Sequence, residues 1–570
     1  MAGGEATLIQ KSTAVVPTAR PPPSSPRFLL PRASGNRVLP ALPPLPPPHD
    51  LVLDAGIQAR FDGWADSTDL WRHWVAKLRP LHEPLWRELG ILDGILATTY
   101  RVRRESECAL LHPSTNTFVF PWGEATVTLE DMAALAGLPI HGFPVREPRY
   151  SDKLVEIEMA DECALAVVRA VLLMDQREGG AGAGASWAEH FLHQHRHHQA
   201  KEAGGGRDER EQRLEHAAFL SLWLARFVLR APSSDNSAGS DDIVPGEEVL
   251  PVAVRLAHGH SAALAPAALA SIYSDLSALH RHFIHSKRTE APSVSAPMHI
   301  LQLWVWERFP ELRPATATSV VQADSTDADG EDDLLPRAAR WHDVHRALDP
   351  GYARAVFMAP KQFQWRPYDG SSFWERRRRR GRGGSARAPL SFARCLQACE
   401  LVGVDDVVEQ YNPHRVARQL GFDQDVPGTV TRLNTNLWER AWETYTAEAE
   451  DYAFAIPSDE PGVTDEYAQW WKPYSVACAI AVEERDALAS NRELDSLMEE
   501  TSNKGSAGNN EGSSSRNDTR GPKWAVGTME MIQRASVNRQ AEMAGSRELV
   551  AKLVKEIQGR LAIDIEQSEK

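Results

Sequence analysis

The chain has 570 residues and carries 63 Lys and Arg against 78 Asp and Glu, which gives a formal net charge of −15 at pH 7. This length predicts roughly two to four structural parts at about 150 residues each. The acidic balance excludes a polycation built to coat nucleic acid. Because no apolar run approaches the ~18 residues that a bilayer span needs, a membrane protein is not expected.

The five cysteines are few for this length and odd in number: Cys108, Cys163, Cys395, Cys399 and Cys478. This usage favours a reducing compartment over a disulfide framework. Cys395 and Cys399 lie one helical turn apart, which predicts a buried helix face; a redox or zinc pair is the alternative. The first residues lack the basic and then apolar layout of a secretory signal, so secretion is not expected.

Residues 1–55 are rich in proline, as in the run Pro43-Pro44-Leu45-Pro46-Pro47-Pro48. This composition predicts a disordered segment with polyproline II character. A spacer is the favoured interpretation, and a ligand for an aromatic-lined groove is the alternative.

Apolar and aromatic residues recur at helical spacing from Leu70 to Ile95, where the folded region begins. Two β-branched and aromatic runs then flank the sequence Pro121-Trp122-Gly123-Glu124, which predicts a short β-hairpin. Thr128 and Asp131 predict a capped helix directly after the hairpin. The hairpin and the helix together form the predicted structural motif, which includes Trp122, Gly123, Glu124 and Asp131.

Later segments with helical spacing are Asp161–Asp175, Ala217–Val228, Ala265–His285, Met298–Phe309, Cys395–Val408, Asn412–Gly421 and Leu437–Ala449. Low-complexity inserts separate them near residues 179–213, 233–248, 315–335 and 375–388, and these are expected to be surface loops or disordered. Residues 500–522 form a polar linker. Residues 526–567 predict a terminal helix or short coiled coil, because apolar residues recur there at spacings of three and four residues: Val550, Leu553, Val554, Ile557 and Leu561. The predicted fold class is mainly α-helical with a small β-hairpin.

Several spaced blocks of this sequence resemble the plant mobile domain, also called the aminotransferase-like plant mobile domain, of the MAIN-like family. The blocks include Thr115-Asn116-Thr117-Phe118, Pro121-Trp122-Gly123-Glu124, Leu135-Ala136-Gly137-Leu138-Pro139, Leu303-Trp304-Val305-Trp306-Glu307-Arg308-Phe309 and Arg415-Val416-Ala417-Arg418-Gln419-Leu420-Gly421. The resemblance spans about residues 60–475.

The resemblance implies a nuclear protein linked to meristem development, genome integrity and transposon silencing, with a transposon-derived origin. It also implies protein partners, among them a phosphatase of the plant protein phosphatase seven type. No catalytic residue is assigned to the family, so none is carried over to this chain.

The sequence contains no recognisable motif of the common classes of enzyme. The core lysines do not lie in a Gly/Ser-rich loop that enters a helix, as a pyridoxal enzyme would need, so aminotransferase activity is not expected. Phosphate-binding loops, dinucleotide fingerprints, zinc-protease motifs and nucleophile elbows are missing from the sequence. No cofactor, metal or catalytic residue is therefore predicted.

A histidine run and several acidic pairs contain residue types that can bind metal ions. On a helix, His190, His193 and His197 would share a face at ligand spacing, but the run leads into a glycine-rich linker, and a solvated surface helix is favoured. The acidic pairs Asp241-Asp242, Asp332-Asp333 and Asp405-Asp406 do not form a recognisable triad. A transposon-derived metal-dependent nuclease, or a transposase-associated protein, remains the alternative function.

One strongly basic run stands out, Arg376-Arg377-Arg378-Arg379-Arg380-Gly381-Arg382. Such runs serve in nuclear import or contact phosphates, and import is favoured here. The sequence thus predicts a non-catalytic nuclear interaction protein. Contact with chromatin or nucleic acid through the basic run, and self-association through the terminal helix, are the other expected associations.

Overall fold

The computed structural model describes residues 28–33, 39–42, 59–104, 111–112, 115–146, 155–178, 186–192, 209–229, 244–285, 292–315, 336–368, 374, 387–404, 407–430, 437–447 and 461–478. These ranges are mostly helical, so the predicted fold class is confirmed. The chain divides into two units, residues 1–41 with 51–470 and residues 42–50 with 471–570.

Eleven named α-helices lie in the described part of the first unit: α1 Asp69–Leu89, α2 Leu92–Ala97, α3 Leu129–Leu135, α4 Val155–Glu178, α5 Glu209–Trp223, α6 Leu250–Ala257, α7 Leu264–His285, α8 Met298–Arg308, α9 Pro350–Met358, α10 Arg387–Cys395 and α11 Trp438–Thr446. A π-helical turn, Leu224–Val228, continues α5. Short 3-10 helices are Glu247–Val249, Arg337–Trp341, Pro360–Gln362 and Pro413–Leu420. Residues 187–192 and 465–470 are also helical.

Three small sheets accompany the helices in the part of the chain that the structure describes. Their strands are β1 Arg60–Phe61, β2 Leu111–His112, β3 Thr117–Phe120, β4 Gly123–Ala125, β5 Ser293–Val294, β6 Cys399–Val402 and β7 Val408–Tyr411. Strands β1 and β5 pair in parallel, whereas β2-β3-β4 and β6-β7 are antiparallel. The predicted hairpin is thus β3-β4 with a third strand added, and its turn is Pro121-Trp122, since Gly123 and Glu124 already belong to β4.

Aromatic packing between α1 and α5 forms one centre of the core. Thr68 caps the start of α1 by accepting a hydrogen bond from the backbone N–H of Trp71, as N-terminal threonines do. The Trp71 ring stacks on Phe219 at 4.8 Å, and the Trp86 ring stacks on the same phenylalanine at 5.4 Å. The Trp86 indole also donates to His216 Nε2 at 2.8 Å, so the buried polar atom of this large ring is satisfied.

The helix predicted over residues 395–408 is wrong. Helix α10 ends at Cys395, and β6 and β7 form a hairpin where the helix was expected. All four residues of β6 are buried, so the strand has no alternating polar face and its apolar run has no clear period. Cys395 and Cys399 are both buried, but one ends a helix and the other lies in a strand.

The helix expected at Asn412–Gly421 is a 3-10 helix, Pro413–Leu420, with a non-helical residue at Val416. Proline at its start removes a backbone donor, and the kink at Val416 prevents a continuous α-helical ladder.

Parts of the predicted low-complexity segments are ordered in the structure. Residues 187–192 and 209–213 are helical, with Trp187 fully buried, and 387–388 belong to α10. The expectation of loops for these ends of the inserts is wrong; Trp187 packs in the core, and Arg213 pairs with the buried Asp161. Within the proline-rich segment, Leu29 is buried and Arg32 pairs with Asp425. Residues 247–248 of the insert near 233–248 also belong to an ordered element, the 3-10 helix Glu247–Val249. Most of the other residues of these segments lie outside the described residues, as do residues 500–522 and 526–567.

In the second unit, the described residues are 42 and 471–478. Residues 471–478 are helical, and the rings of Trp471 and Tyr474 lie 5.0 Å apart. Across the described ranges of both units, none of the helices combines the length and apolar character that crossing a bilayer requires.

Candidate functional site

Glu124, a residue of the predicted motif, forms a buried ion pair. It lies in β4 and is 2% exposed. Its Oε1 accepts hydrogen bonds from Thr117 Oγ1 at 2.7 Å and from Arg415 Nε at 3.0 Å, and its Oε2 lies 2.9 Å from Arg415 Nη2. Glu124 therefore ties the three-stranded sheet to the 3-10 helix Pro413–Leu420.

Asp131 joins two more elements through its carboxylate. One oxygen, Oδ2, accepts from the backbone and hydroxyl of Thr128 and completes a capping box at the start of α3, as the sequence predicted. The other, Oδ1, accepts from Arg308 Nη2 at 2.7 Å and from the Tyr368 hydroxyl at 2.8 Å. Asp131 and Arg308 have no exposed side-chain surface. A buried pair of this kind holds elements together, and removing one member leaves an uncompensated charge.

Glu130, beside Asp131 on α3, has a perturbed pKa. Burial raises the pKa of Glu130 to about 7, against the opposing effect of the Trp374 indole, which donates to its Oε1 at 3.0 Å. The Asp131 carboxylate adds to the rise. Glu130 is 4% exposed, so it is not positioned to act on a solvent-borne substrate.

Trp122 and Gly123 complete the predicted motif. Trp122 is half-buried, its ring lies 4.5 Å from that of Phe120, and its indole donates to the Phe357 carbonyl at 2.8 Å. Gly123 has φ of +139°, a conformation that a side chain would strain. The four motif residues are thus brought together as a structural unit around the β-sheet and α3.

The basic run Arg376, Arg377, Arg378, Arg379, Arg380 and Arg382 lies outside the described residues. The structure describes its two flanks. Trp374 precedes the run and is buried, 6.0 Å from the ring of Phe392, and α10 begins at Arg387 after it.

The histidine cluster is only partly described. His190 belongs to the helical residues 187–192, and burial lowers its pKa, whereas His193 and His197 lie outside the described residues. The acidic pairs Asp241-Asp242, Asp332-Asp333 and Asp405-Asp406 lie outside them too. In the described part of the chain, no group of three or more His, Cys, Asp or Glu side chains is placed to hold a metal ion.

Burial disfavours the thiolate form of Cys399. Burial raises the pKa of the Cys399 thiol to about 12, and Cys395 Sγ lies 3.2 Å from the Ser391 carbonyl in α10. Thiolates, rather than thiols, are the nucleophiles and metal ligands, so this environment does not support the redox or zinc alternative for the pair.

A cleft of about 970 Å³ lies between α1, α2 and the segment after the 3-10 helix Arg337–Trp341. We call it the arginine cleft, because four arginines line it: Arg72, Arg79, Arg87 and Arg101. Its apolar lining includes Val75, Leu92 and Leu96, and Tyr100 and His342 lie in T-shaped contact at its edge, 5.7 Å apart.

The arginines of the cleft are held in place by carboxylates that do not themselves line it. Glu83 binds both Arg79 at 2.7 Å and Arg87 at 2.6 Å, Arg72 pairs with Asp69, and Arg101 lies 3.5 Å from Asp66. Two carboxylates line the cleft directly, Asp93 and Asp343. Guanidinium groups thus outnumber carboxylates in the lining itself, while the carboxylates beside it balance most of their charge.

The lining offers an anion the N–H groups of arginines that already share hydrogen bonds with neighbouring carboxylates. Guanidinium groups match carboxylates and phosphates geometrically, and the apolar lining would accommodate a neighbouring hydrophobic group. Sequence reasoning missed the cleft, although Arg72, Arg79 and Arg87 fall on one face of α1. The helical spacing could have revealed that face, but Arg101 and His342 join it only through the tertiary fold.

Comparison with known protein families gave a match to the region that contains these sequence motifs. The family described as the plant mobile domain matches residues 90–472, about two thirds of the chain. The chain belongs to the plant mobile domain family. The resemblance predicted from the sequence is thereby confirmed.

A curated relative of this plant mobile domain protein is the "Serine/threonine-protein phosphatase 7 long form homolog" of Arabidopsis thaliana. The two are 26% identical over 333 residues, which cover 55% of this chain and 21% of the relative. The match thus spans about a fifth of the relative's length. The comparison with solved structures gave no match.

Proposed function

We propose that this protein is a non-catalytic nuclear interaction protein of the MAIN-like type that acts in meristem development, genome integrity and transposon silencing. The observation that carries the proposal is the arginine cleft, whose lining suits the binding of a partner's acidic groups. The engagement of Glu124 and Asp131 in buried ion pairs supports it, because these motif carboxylates stabilise the fold.

The partner that we propose is a phosphatase of the plant protein phosphatase seven type, bound in trans. The similarity to the Arabidopsis phosphatase 7 long form homolog supports this choice. This chain carries no GDxHG-type metal motif of its own, so it would contribute binding rather than phosphatase chemistry. Nuclear import, and any contact with nucleic acid, we assign to the basic run from Arg376 to Arg382.

A pull-down tests the role of the cleft. The full chain is immobilised and exposed to a purified plant phosphatase of this type, and the bound fraction is compared with that of the double variant Arg79→Gln, Arg87→Gln. We expect the double variant to lose binding at least several-fold, because each charge-assisted hydrogen bond contributes roughly 1.5–3 kcal/mol. Arg60→Gln is the matched control, since Arg60 is exposed and does not line the cleft. Equal binding by the double variant would remove the cleft from the proposal.

A second assay addresses catalysis. The purified chain is incubated with plasmid DNA and Mg²⁺ or Mn²⁺, and the DNA is examined for cleavage that chelation abolishes. We expect intact plasmid. Chelator-sensitive cleavage by this chain would contradict the non-catalytic proposal and favour a transposon-derived nuclease.

A further inference from the structure

The outward face of α4 is apolar to an unusual degree. Five of the eleven exposed large apolar side chains in the described part of the chain lie on this one helix: Ile157, Met159, Val167, Val171 and Met174. Val167 is 64% exposed and Met174 63%. Cys163 is exposed as well, one helical turn before Val167. A concentration of exposed apolar residues on one element marks an interaction site.

Two charged residues of α4, Asp161 and Arg169, bind neighbouring segments of the fold. Between Met159 and Met174 the charged side chains are Asp161, Glu162 and Arg169. Asp161 is 1% exposed and accepts from Arg213 Nε at 2.9 Å, and Arg169 donates to the Pro245 carbonyl at 2.8 Å. The inner side of α4 thus combines Asp161 with the buried apolar side chains of Leu165 and Leu172, and the outer side between Met159 and Met174 is largely apolar as well.

The spacing of the outward residues is that of a helix-helix contact. Ala160, Cys163, Val167, Ala170 and Met174 are separated alternately by three and four residues, the pattern by which one helix packs against another. This set, together with Val171, is the α4 stripe. The stripe itself carries no Asp, Glu, Lys or Arg, so two copies can meet along it without like charges opposing each other, although the chain is strongly acidic.

The stripe is also self-complementary in volume about Val167. Ala160 lies seven residues before Val167 and Met174 seven residues after it, and Cys163 and Val171 lie four residues on either side. In an antiparallel pair with its two-fold axis at Val167, Ala160 thus faces Met174 and Cys163 faces Val171, so a smaller side chain meets a larger one at both positions. An isologous contact of this kind uses the same patch on both copies.

We propose that two copies of this protein associate by antiparallel pairing of α4, with the two-fold axis at Val167. A helix of this length extends about 36 Å and is about 10 Å wide, so each copy would contribute roughly 350 Å². That area is below the ~800 Å² per partner of standard stable interfaces, so the dimer is a weak one that dissociates on dilution.

Sedimentation velocity of the full chain over a dilution series tests association. We expect the wild type to shift from dimer to monomer on dilution and V167E to remain monomeric throughout, because the two introduced carboxylates would meet at the axis. V463E is the matched control, since Val463 is an exposed valine outside α4, and it should dimerise like the wild type. A wild type that stays monomeric at every concentration, or a V463E that is as monomeric as V167E, would overturn the proposal.

Disulfide trapping tests the register. In a C163S background, V167C places the new thiol on the two-fold axis, and mild oxidation should give a covalent dimer that C163S alone does not form. The antiparallel register separates the two native Cys163 side chains by about two helical turns along the axis, so Cys163 should not trap the wild type. Trapping of the wild type through Cys163, without trapping of the V167C variant, would indicate a parallel pair and overturn the proposed arrangement.

Discussion

The buried carboxyl group of Glu130 predicts how the stability of this protein depends on pH. Burial raises the pKa of Glu130 from its ordinary 4.5 to about 7. Between these two pH values the folded protein holds a proton that the unfolded chain has released. The contribution of Glu130 protonation to the free energy of unfolding is therefore fully present below about pH 4.5. It falls as the pH rises and is lost above about pH 7.

The magnitude follows from the difference in pKa. A rise from 4.5 to about 7, at about 1.4 kcal/mol for each pKa unit, corresponds to roughly 3 kcal/mol of destabilisation at alkaline pH. Glu130→Gln keeps an oxygen that can accept from the Trp374 indole and removes the charge. We expect E130Q to exceed the wild type in free energy of unfolding by up to roughly 3 kcal/mol near pH 8.5, and by little near pH 5.

The assay is urea unfolding followed by circular dichroism at several pH values between about 5 and 8.5. Glu124→Gln serves as the control, because Glu124 is buried as well but paired with Arg415. Its loss leaves the arginine uncompensated and should destabilise the protein by roughly 3–5 kcal/mol, opposite in sign to E130Q at high pH. A difference between E130Q and wild type that does not change with pH would refute the reasoning.

Three further predictions concern other parts of the chain. Trp122→Ala should lower stability by about 2–3 kcal/mol in a thermal or urea melt, because a half-buried ring stacked on Phe120 is removed; an unchanged melt would make Trp122 a partner-contact candidate. Changing Arg376–Arg380 together to Gln should move a fluorescent fusion from nucleus to cytoplasm, and a fusion that stays nuclear would exclude the run as the import signal. Removing residues 526–570 should leave the region 60–475 folded by circular dichroism, and aggregation of the truncated chain would place the tail in the core.

Local chemistry in the sequence predicted several elements of the fold. Thr128 and Asp131 form the capping box because both partners lie within one turn of chain. Pro121 and Trp122 form the β3-β4 turn because the flanking runs have strand character. The helices α7 and α8 were predicted within one residue at most of their bounds, since their apolar periodicity is long.

Only the tertiary structure determined which distant side chains form ion pairs. The sequence could not pair Asp131 with Arg308, 177 residues later, or Glu124 with Arg415, 291 residues later, because distant partners leave no local pattern. It also could not place Cys399 in a strand, since burial on both faces removes the period by which strands are recognised.

For the arginine cleft and the α4 stripe as well, the sequence determined some features and the tertiary structure determined others. Residue spacing fixed that Arg72, Arg79 and Arg87 share one face of α1, and that the α4 stripe follows one side of its helix. Which face of α4 points outward depended on the packing of neighbouring helices, because Leu165 and Leu172 are buried on its inner side, where Asp161 also pairs with Arg213. Periodicity assigns residues to faces of a helix, but contacts between distant segments decide which face remains exposed.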